Sequence, residues 1–284
     1  MTPGREQGPG GDEGGRGDAP TYRGVVALDN SGTVSDAVVE TVGYLDDVDL
    51  DCPVPAVRVD RPVVLVNVAL DGFALLDTDA PLGRVLADAD APIHLALSNV
   101  EITEAEARRA TLADGVTPAR PLFDATERLR RRVVDEHGRD DPPIGVQLAV
   151  ELDPGRVHRG FAYASVPRPE SRSTVEALRD RGFDVHLVSG DAAGVLEAVA
   201  AQVGIAPENV HAYQSPDGKA ETVAALRERS GGPVVMVGDY VNDRLAFERA
   251  DRAVLVCTDG EPDPTLARRV DAVAGSLSEV ITRL

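Results

Sequence analysis

Lysine is almost missing from this chain. Of its 29 basic residues one, Lys219, is a lysine and the rest are arginine. Basic charge is itself scarce: 48 Asp and Glu set the formal net charge at −19. Such a chain offers no broad positive face for nucleic-acid phosphates and is repelled by anionic lipid, so neither is expected as a partner. Tryptophan is absent, and Tyr and Phe number five each. The only cysteines, Cys52 and Cys257, are far apart and in no metal-ligand spacing. They read as ordinary reduced thiols, as in a cytoplasmic protein. No run of about 18 apolar residues occurs, so no transmembrane helix is expected. Met1 to Pro20 is polar and Gly-rich and has no apolar stretch, so no secretory signal is expected either.

What is present suffices for a globular fold. Hydrophobic residues make up 43% of 284 residues, and at ~150 residues per domain that length suggests about two domains. Acid excess with almost no lysine resembles the proteins of salt-in halophiles, whose hydrated acidic surface keeps them soluble. Lys219 stands out against that background. Lysine is a compact point charge on a flexible stem and arginine a wide planar fork, so a single lysine suggests a site that arginine would not fit.

Residues 1–19 cannot bury enough apolar surface to order themselves and read as a disordered tail. Gly24–Leu28 is a short apolar run ending at Asp29, consistent with a buried strand. Ser35–Tyr44 is compatible with a strand or a short helix. Pro62–Leu70 reads as a strand. Thr103 can cap a helix over Glu104–Leu112, and Asp124 one over Ala125–His137 closed by Gly138. Gly145–Leu152 and Val157–Val166 flank Asp153-Pro154-Gly155 as a hairpin. Regular alternation follows. Helices are expected at Ser171–Arg181, Ala192–Val203, Lys219–Arg229 and Asp243–Ala250, and strands at Phe183–Val188, Val210–Tyr213, Pro233–Val237 and Ala253–Cys257. Repeated β-α-β units with short loops predict an α/β fold, a Rossmann-like doubly wound parallel sheet. The expected core is 20–40 with 160–284, and 41–159 is an inserted α+β cap domain.

Ligands of such sheets sit beyond the carboxyl ends of the strands. Three predicted strands end in polar clusters: Asp29-Asn30-Ser31-Gly32-Thr33, Ser189-Gly190-Asp191 and Gly238-Asp239-Tyr240-Val241-Asn242-Asp243. Converging carboxylates repel unless a cation shares the site, and an all-oxygen set suits Mg²⁺. Lysine, hydroxyls and loop amides would bind phosphate oxygens. A carboxylate at a strand tip can attack phosphorus. The constellation therefore predicts Mg²⁺-dependent phosphoryl transfer.

Four stretches then resemble, in order, the motifs of the haloacid dehalogenase-like superfamily, nearest to the phosphorylation domain of P-type ATPases and its soluble phosphatase relatives. They are VVALDNSGTV, RPESRSTVEALRDRGFDVHLVSGD, SPDGKAETVAAL and MVGDYVNDRLAFERAD. The resemblance covers about 22–40 and 160–284. It implies that Asp29 is the nucleophile, and that Asp29, Asp239 and the Ser31 carbonyl ligate Mg²⁺. It further implies that Ser31, Thr33, Ser189, Lys219 and Asn242 bind the phosphoryl oxygens. Lys219 would offset transition-state charge, with Asp243 orienting Lys219 or a metal-bound water. Asp191 has two readings, tying loops together or capping the helix at 192–203.

The chain departs from the family's phosphatases at Ser31, where they carry the aspartate that protonates the leaving oxygen. A hydroxyl is a poor acid, and losing such a group costs about 10²–10⁴-fold. Alkyl phosphates are therefore expected to be slow, and acyl phosphates, aryl phosphates or nucleoside triphosphates to be better substrates. Asn30, where the transporters have lysine, is expected to point away. Tyr240 stands in a glycine position. The insert shows no Gly-rich nucleotide loop and no lysine, and its aromatics are Tyr44, Phe73 and Phe123. The leading expectation is a cytoplasmic phosphatase acting on a small phosphorylated substrate. The rivals are an ATP-hydrolysing module working with a partner and a non-catalytic regulatory module.

Overall fold

The computed structural model describes residues 24–44, 61–69, 78–258 and 260–284. The expected tail, Cys52 and Phe73 lie outside the described residues.

In chain order the elements begin with β1 (Gly24–Leu28), β2 (Ser35–Gly43), β3 (Val63–Val68), α1 (Leu82–Asp88) and β4 (Ile93–Ser98). They continue with α2 (Glu104–Leu112), α3 (Arg120–His137), β5 (Gly145–Glu151) and β6 (Arg156–Pro167). The rest of the chain alternates: α4 (Ser171–Asp180), β7 (Phe183–Val188), α5 (Ala193–Val203), β8 (Val210–His211), α6 (Pro216–Arg229), β9 (Val234–Gly238), α7 (Arg244–Phe247), β10 (Arg252–Val256), α8 (Pro264–Ala267), β11 (Ala272–Ala274) and α9 (Val280–Arg283).

Six of these strands form a parallel sheet in the order β11-β10-β9-β1-β7-β8. Because strand side chains alternate, β1 feeds both faces. Val26 and Leu28 pack with Leu178, Leu196 and Val199 of α4 and α5. Val25 and Ala27 pack with Val223, Leu226 and Phe247 of α6 and α7. β1 is central, with β7 on one side and β9 on the other. That is the switch point of a doubly wound sheet, where ligands bind.

The other five strands form an antiparallel sheet, β2-β6-β5-β3-β4. Ser35–Gly43 is a strand, and its ladder with β6 runs from Ser35↔Pro167 to Gly43↔Arg159. Residues 40 and 160, where the sequence placed the junctions, therefore fall inside paired strands. The antiparallel sheet starts at Ser35 and ends at Pro167, and the chain crossings lie at Val34 and Arg168, joined by a bond from Arg168 N to Val34 O of 3.0 Å. Long-range pairing decides this boundary, and local composition carries no mark of it. One face of the sheet is covered by α1, α2 and α3 through Val64, Val66, Leu148, Leu82, Leu86 and Leu122. The opposite face turns toward the parallel sheet.

Three helix starts differ from expectation. α6 begins at Pro216, not Lys219, behind the N-cap Ser215. α3 begins at Arg120, one turn early, with a proline in its first turn, so Asp124 lies inside it and caps nothing. The expected helix over Asp243–Ala250 is a 3₁₀ turn at Val241–Asp243 followed by the short α7. Elsewhere the end signals hold. Thr103 and Glu106 form a capping box, and Gly138 closes α3 at φ 62°. Among the described residues no helix is long and apolar enough to cross a membrane.

Candidate active site

The carboxyl ends of β1, β7 and β9 meet at one point. Asp29 follows β1, its amide bonded to Val237 O at 2.8 Å, and it is 3% exposed. Asn30 O then accepts from the amides of Thr33, Val34 and Ser35, which winds the loop back on itself. Gly32 has φ 82°, and a Cβ there would fall 2.0 Å from Asp239 Oδ2. Only glycine lets the first and last motif loops approach so closely.

Lys219 enters from the first turn of α6, whose N-cap is Ser215. It is 1% exposed, and its Nζ donates to Asp29 Oδ1 and to Asp243 Oδ1, each at 2.6 Å. Asp243 Oδ2 accepts from the amides of Asp239 and Tyr240 at 3.1 and 3.3 Å. One carboxylate thus positions both the lysine and the Asp239 loop. Carboxylate oxygens of Asp29, Asp239 and Asp243 lie within 4.8 Å of one another. Burial first, then the neighbouring carboxylates, push Asp29 up to about 7 and Asp239 up to about 8. Lys219 moves up as well: burial opposes its charge, but Asp243 and Asp29 outweigh that. Three carboxylates and one ammonium, all ionised, sum to −2. Burying that excess is costly unless a divalent cation balances it.

Asp191 ties loops together. Its Oδ2 accepts from Asn30 Nδ2 at 2.6 Å, Ser189 Oγ at 3.0 Å and Ser31 Oγ at 3.3 Å. It does not cap α5, whose N-cap position is Ala192 with no side-chain bond. Asn30 does not point away. It is fully buried and also donates to Ser165 Oγ of β6 at 2.9 Å.

The sequence pattern of the haloacid dehalogenase-like hydrolases matches residues 24–251. This chain belongs to that family. Probable copper-transporting ATPase SynA of Synechococcus elongatus is 43% identical over 84 residues, 30% of this chain and 10% of that protein. Probable cation-transporting ATPase G of Mycobacterium tuberculosis is 45% identical over 87 residues, 31% and 11% of the two chains. This haloacid dehalogenase-like hydrolase thus spans about a tenth of the length of these curated relatives. Among solved structures, the catalytic domain of the CPx-ATPase CopB-B aligns at 16% identity and TM-score 0.46, covering 91% of this chain and 87% of that one.

A cavity of about 400 Å³ lies between the hydrolase's motif loops and the open face of its antiparallel sheet. Asp29, Ser31, Ser189, Asp239 and Asn242 line it, and the half-exposed Tyr240 stands at its edge. Lys219 and Asp243 sit beneath, Lys219 bonded to Asp29 and Asp243 to Lys219. Thr33 does not line the cavity; it is fully buried, with no partner for its hydroxyl among the described residues. A larger hollow, about 660 Å³ between β2 and α3, contains none of these groups.

Sequence reasoning missed the residues that the antiparallel sheet brings to the site. Asn67 Nδ2 donates to Gly190 O at 2.6 Å, and the Tyr163 hydroxyl accepts from Ala192 N at 2.8 Å. His94 stacks on Tyr213 with centroids 4.1 Å apart. Asn67 did leave a signal: it is the one polar residue in the buried strand VVLVNV, and a buried polar group has to find a partner.

Proposed function

We propose that this protein is a Mg²⁺-dependent phosphohydrolase acting through an aspartyl-phosphate on Asp29. The supporting observation is the buried Asp29–Lys219–Asp243 bridge beside Asp239 at the switch point. Asp29, Asp239 and the Ser31 carbonyl would hold the cation; their hard oxygen donors and the −2 charge excess suit it. When bound, Mg²⁺ supplies charge neutralisation for the phosphoryl group.

Lys219 holds Asp29 Oδ1, which leaves Oδ2 to attack phosphorus. The bond from phosphorus to the leaving oxygen breaks, and its electron pair leaves with that oxygen. Ser31 and Ser189 would turn their hydroxyls from Asp191 Oδ2 to the phosphoryl oxygens, and Asn242 offers its side-chain amide. Water then attacks the phosphorus of phospho-Asp29. The Asp29–phosphorus bond breaks, its electrons return to the carboxylate, a water proton passes to solvent, and inorganic phosphate is released. Lys219 stays within reach of the charge that builds in both steps.

The substrate of this reading is a small phosphorylated molecule, with no nucleic acid or membrane as partner, and the setting is cytoplasmic. The net charge of −19 supports the first exclusion, and the acid-rich, lysine-poor composition supports a salty interior. The test is intact-protein mass spectrometry after acid quench, in high salt with Mg²⁺ and acetyl phosphate, p-nitrophenyl phosphate or ATP. The expected result is a phosphate-sized mass gain on wild type, none on Asp29→Asn, and phosphate release in parallel. An equal gain on Asp29→Asn would overturn the nucleophile assignment.

A further inference from the structure

The roof of the cavity has its own chemistry. It is the uncovered face of the antiparallel sheet, where Leu65, Leu97, Val39 and Phe161 point toward Asp29. Two polar side chains lie among them: Tyr163, whose hydroxyl accepts from Ala192 N, and Gln147, half-buried, whose amide makes no hydrogen bond with any described residue. Among the described residues that line the cavity none is Arg, Lys or His, whereas Asp29, Asp191 and Asp239 all line it. Lys219, beneath Asp29, is taken up by two carboxylates.

From this geometry, and resting on the phosphohydrolase reading above, we infer that the substrate carries a single phosphate on a flat apolar body, an aryl phosphate. Leu65, Leu97 and Phe161 set this specificity, and Gln147 gives the one amide contact in the roof. Three considerations converge. A second or third phosphate would meet carboxylates and aliphatic carbon with no cation to receive it, which disfavours nucleoside di- and triphosphates. A sugar would bring several hydroxyls to a roof with one amide and one phenol hydroxyl, the latter already bonded to Ala192 N, and leave most of them without partners. The size also fits: about 400 Å³ is the space of roughly a dozen waters at ~30 Å³ each, enough for a phosphate and one or two rings.

The leaving-group chemistry points the same way. Two residues beyond Asp29 stands Ser31, whose hydroxyl bonds to Asp191 and is no acid near neutral pH. The leaving oxygen must therefore depart as an anion. A phenol ionises near pKa ~10, far more readily than an alcohol. Bond cleavage is balanced without a general acid: phosphorus passes to Asp29, and the aryloxide keeps the electron pair and takes its proton from solvent.

The experiment compares wild-type kcat/KM for phenyl phosphate, a hexose phosphate, ATP and acetyl phosphate in Mg²⁺ and high salt. In parallel, calorimetry measures binding of phenylphosphonate and methylphosphonate. The inference expects phenyl phosphate to exceed the hexose phosphate and ATP by at least about 100-fold. It also expects phenylphosphonate to bind at least about tenfold tighter than methylphosphonate. In Leu97→Arg, checked for native circular dichroism, the phenylphosphonate advantage should vanish and KM for phenyl phosphate should rise about tenfold. If acetyl phosphate labels Asp29 but ATP or the hexose phosphate is turned over as well as phenyl phosphate, the inference is overturned and the phosphohydrolase reading stands. Equal binding of the two phosphonates would also overturn it. If no donor labels Asp29, the reading beneath it fails too.

Discussion

Replacing Lys219 by methionine tests the electrostatic logic of the site on stability alone. Methionine keeps most of the stem volume and removes the charge. The ammonium's two bonds, each 2.6 Å, are lost, and Asp29 and Asp243 remain at 3% and 0% exposure. Breaking a buried ion pair by removing one partner costs about 3–5 kcal/mol. At roughly 2–4 °C per kcal/mol for a chain of this size, the melting temperature should fall by about 6–20 °C. The loss should depend on pH. Without the ammonium the folded-state pKa of Asp29, already raised to about 7, moves further up. A raised carboxylate contributes stability that is full below its unfolded pKa of ~3.9 and is lost as pH rises through the folded value. The deficit measured by thermal denaturation in EDTA and high salt should therefore be larger at about pH 8.5 than at about pH 5.5. A deficit under about 2 °C at the higher pH, the effect of ~1 kcal/mol or less, would refute the view that Lys219 neutralises a buried carboxylate pair.

Other outcomes follow from neighbouring atoms. Ser31→Asp restores a leaving-group acid, and the adjacent Asp191, whose Oδ2 is 3.3 Å from the serine hydroxyl, would help keep it protonated. Alkyl phosphate turnover should rise, up to the ~10²-fold low end of general-acid effects, in a steady-state phosphate-release assay. Gly32→Ala sets a Cβ 2.0 Å from Asp239 Oδ2 at φ 82°, so phosphate release should drop at least about tenfold while the circular dichroism spectrum stays native. A separate pair, His186 of β7 and His211 of β8, has ring nitrogens 3.1 Å apart. Burial, then His186 and Arg229, hold His211 down at about 4. The unfolded chain binds more protons between that value and ~6.5, so stability should fall as pH falls through this window, and His211→Asn should flatten the denaturation midpoint there.

The parallel core could be read from the chain because its signals are local. Each strand is a short apolar run and each catalytic group follows one, so Asp29, Ser189 and Asp239 could be assigned to strand ends before their distances were known. The antiparallel sheet could not be read in this way. Asp36–Val42 alternates too weakly to choose between helix and strand, and only the ladder to β6 decides it. Ile93–Ser98 is a strand through its pairing with β3, some thirty residues earlier in the chain, and five of its six residues are only half-buried. Leu82–Asp88 has no side-chain cap at its start. The expectation for Asn30 failed for a related reason: its partners, Asp191 and Ser165, are 161 and 135 residues away. Contacts of that span leave no periodicity to read.

The two crossings between the sheets have a consequence for how such a protein can be built. Val34 and Arg168 are hydrogen-bonded neighbours, and Ser35 faces Pro167 across an antiparallel ladder, whose paired Cα atoms stand about 4.5–5.5 Å apart. An element entering and leaving through one such gap asks its host chain only to open a short turn. Segments with adjacent ends are the ones a folded domain tolerates as insertions. The roof is therefore a cassette: another sheet, with another lining, could be spliced between the same two residues and meet the same aspartates.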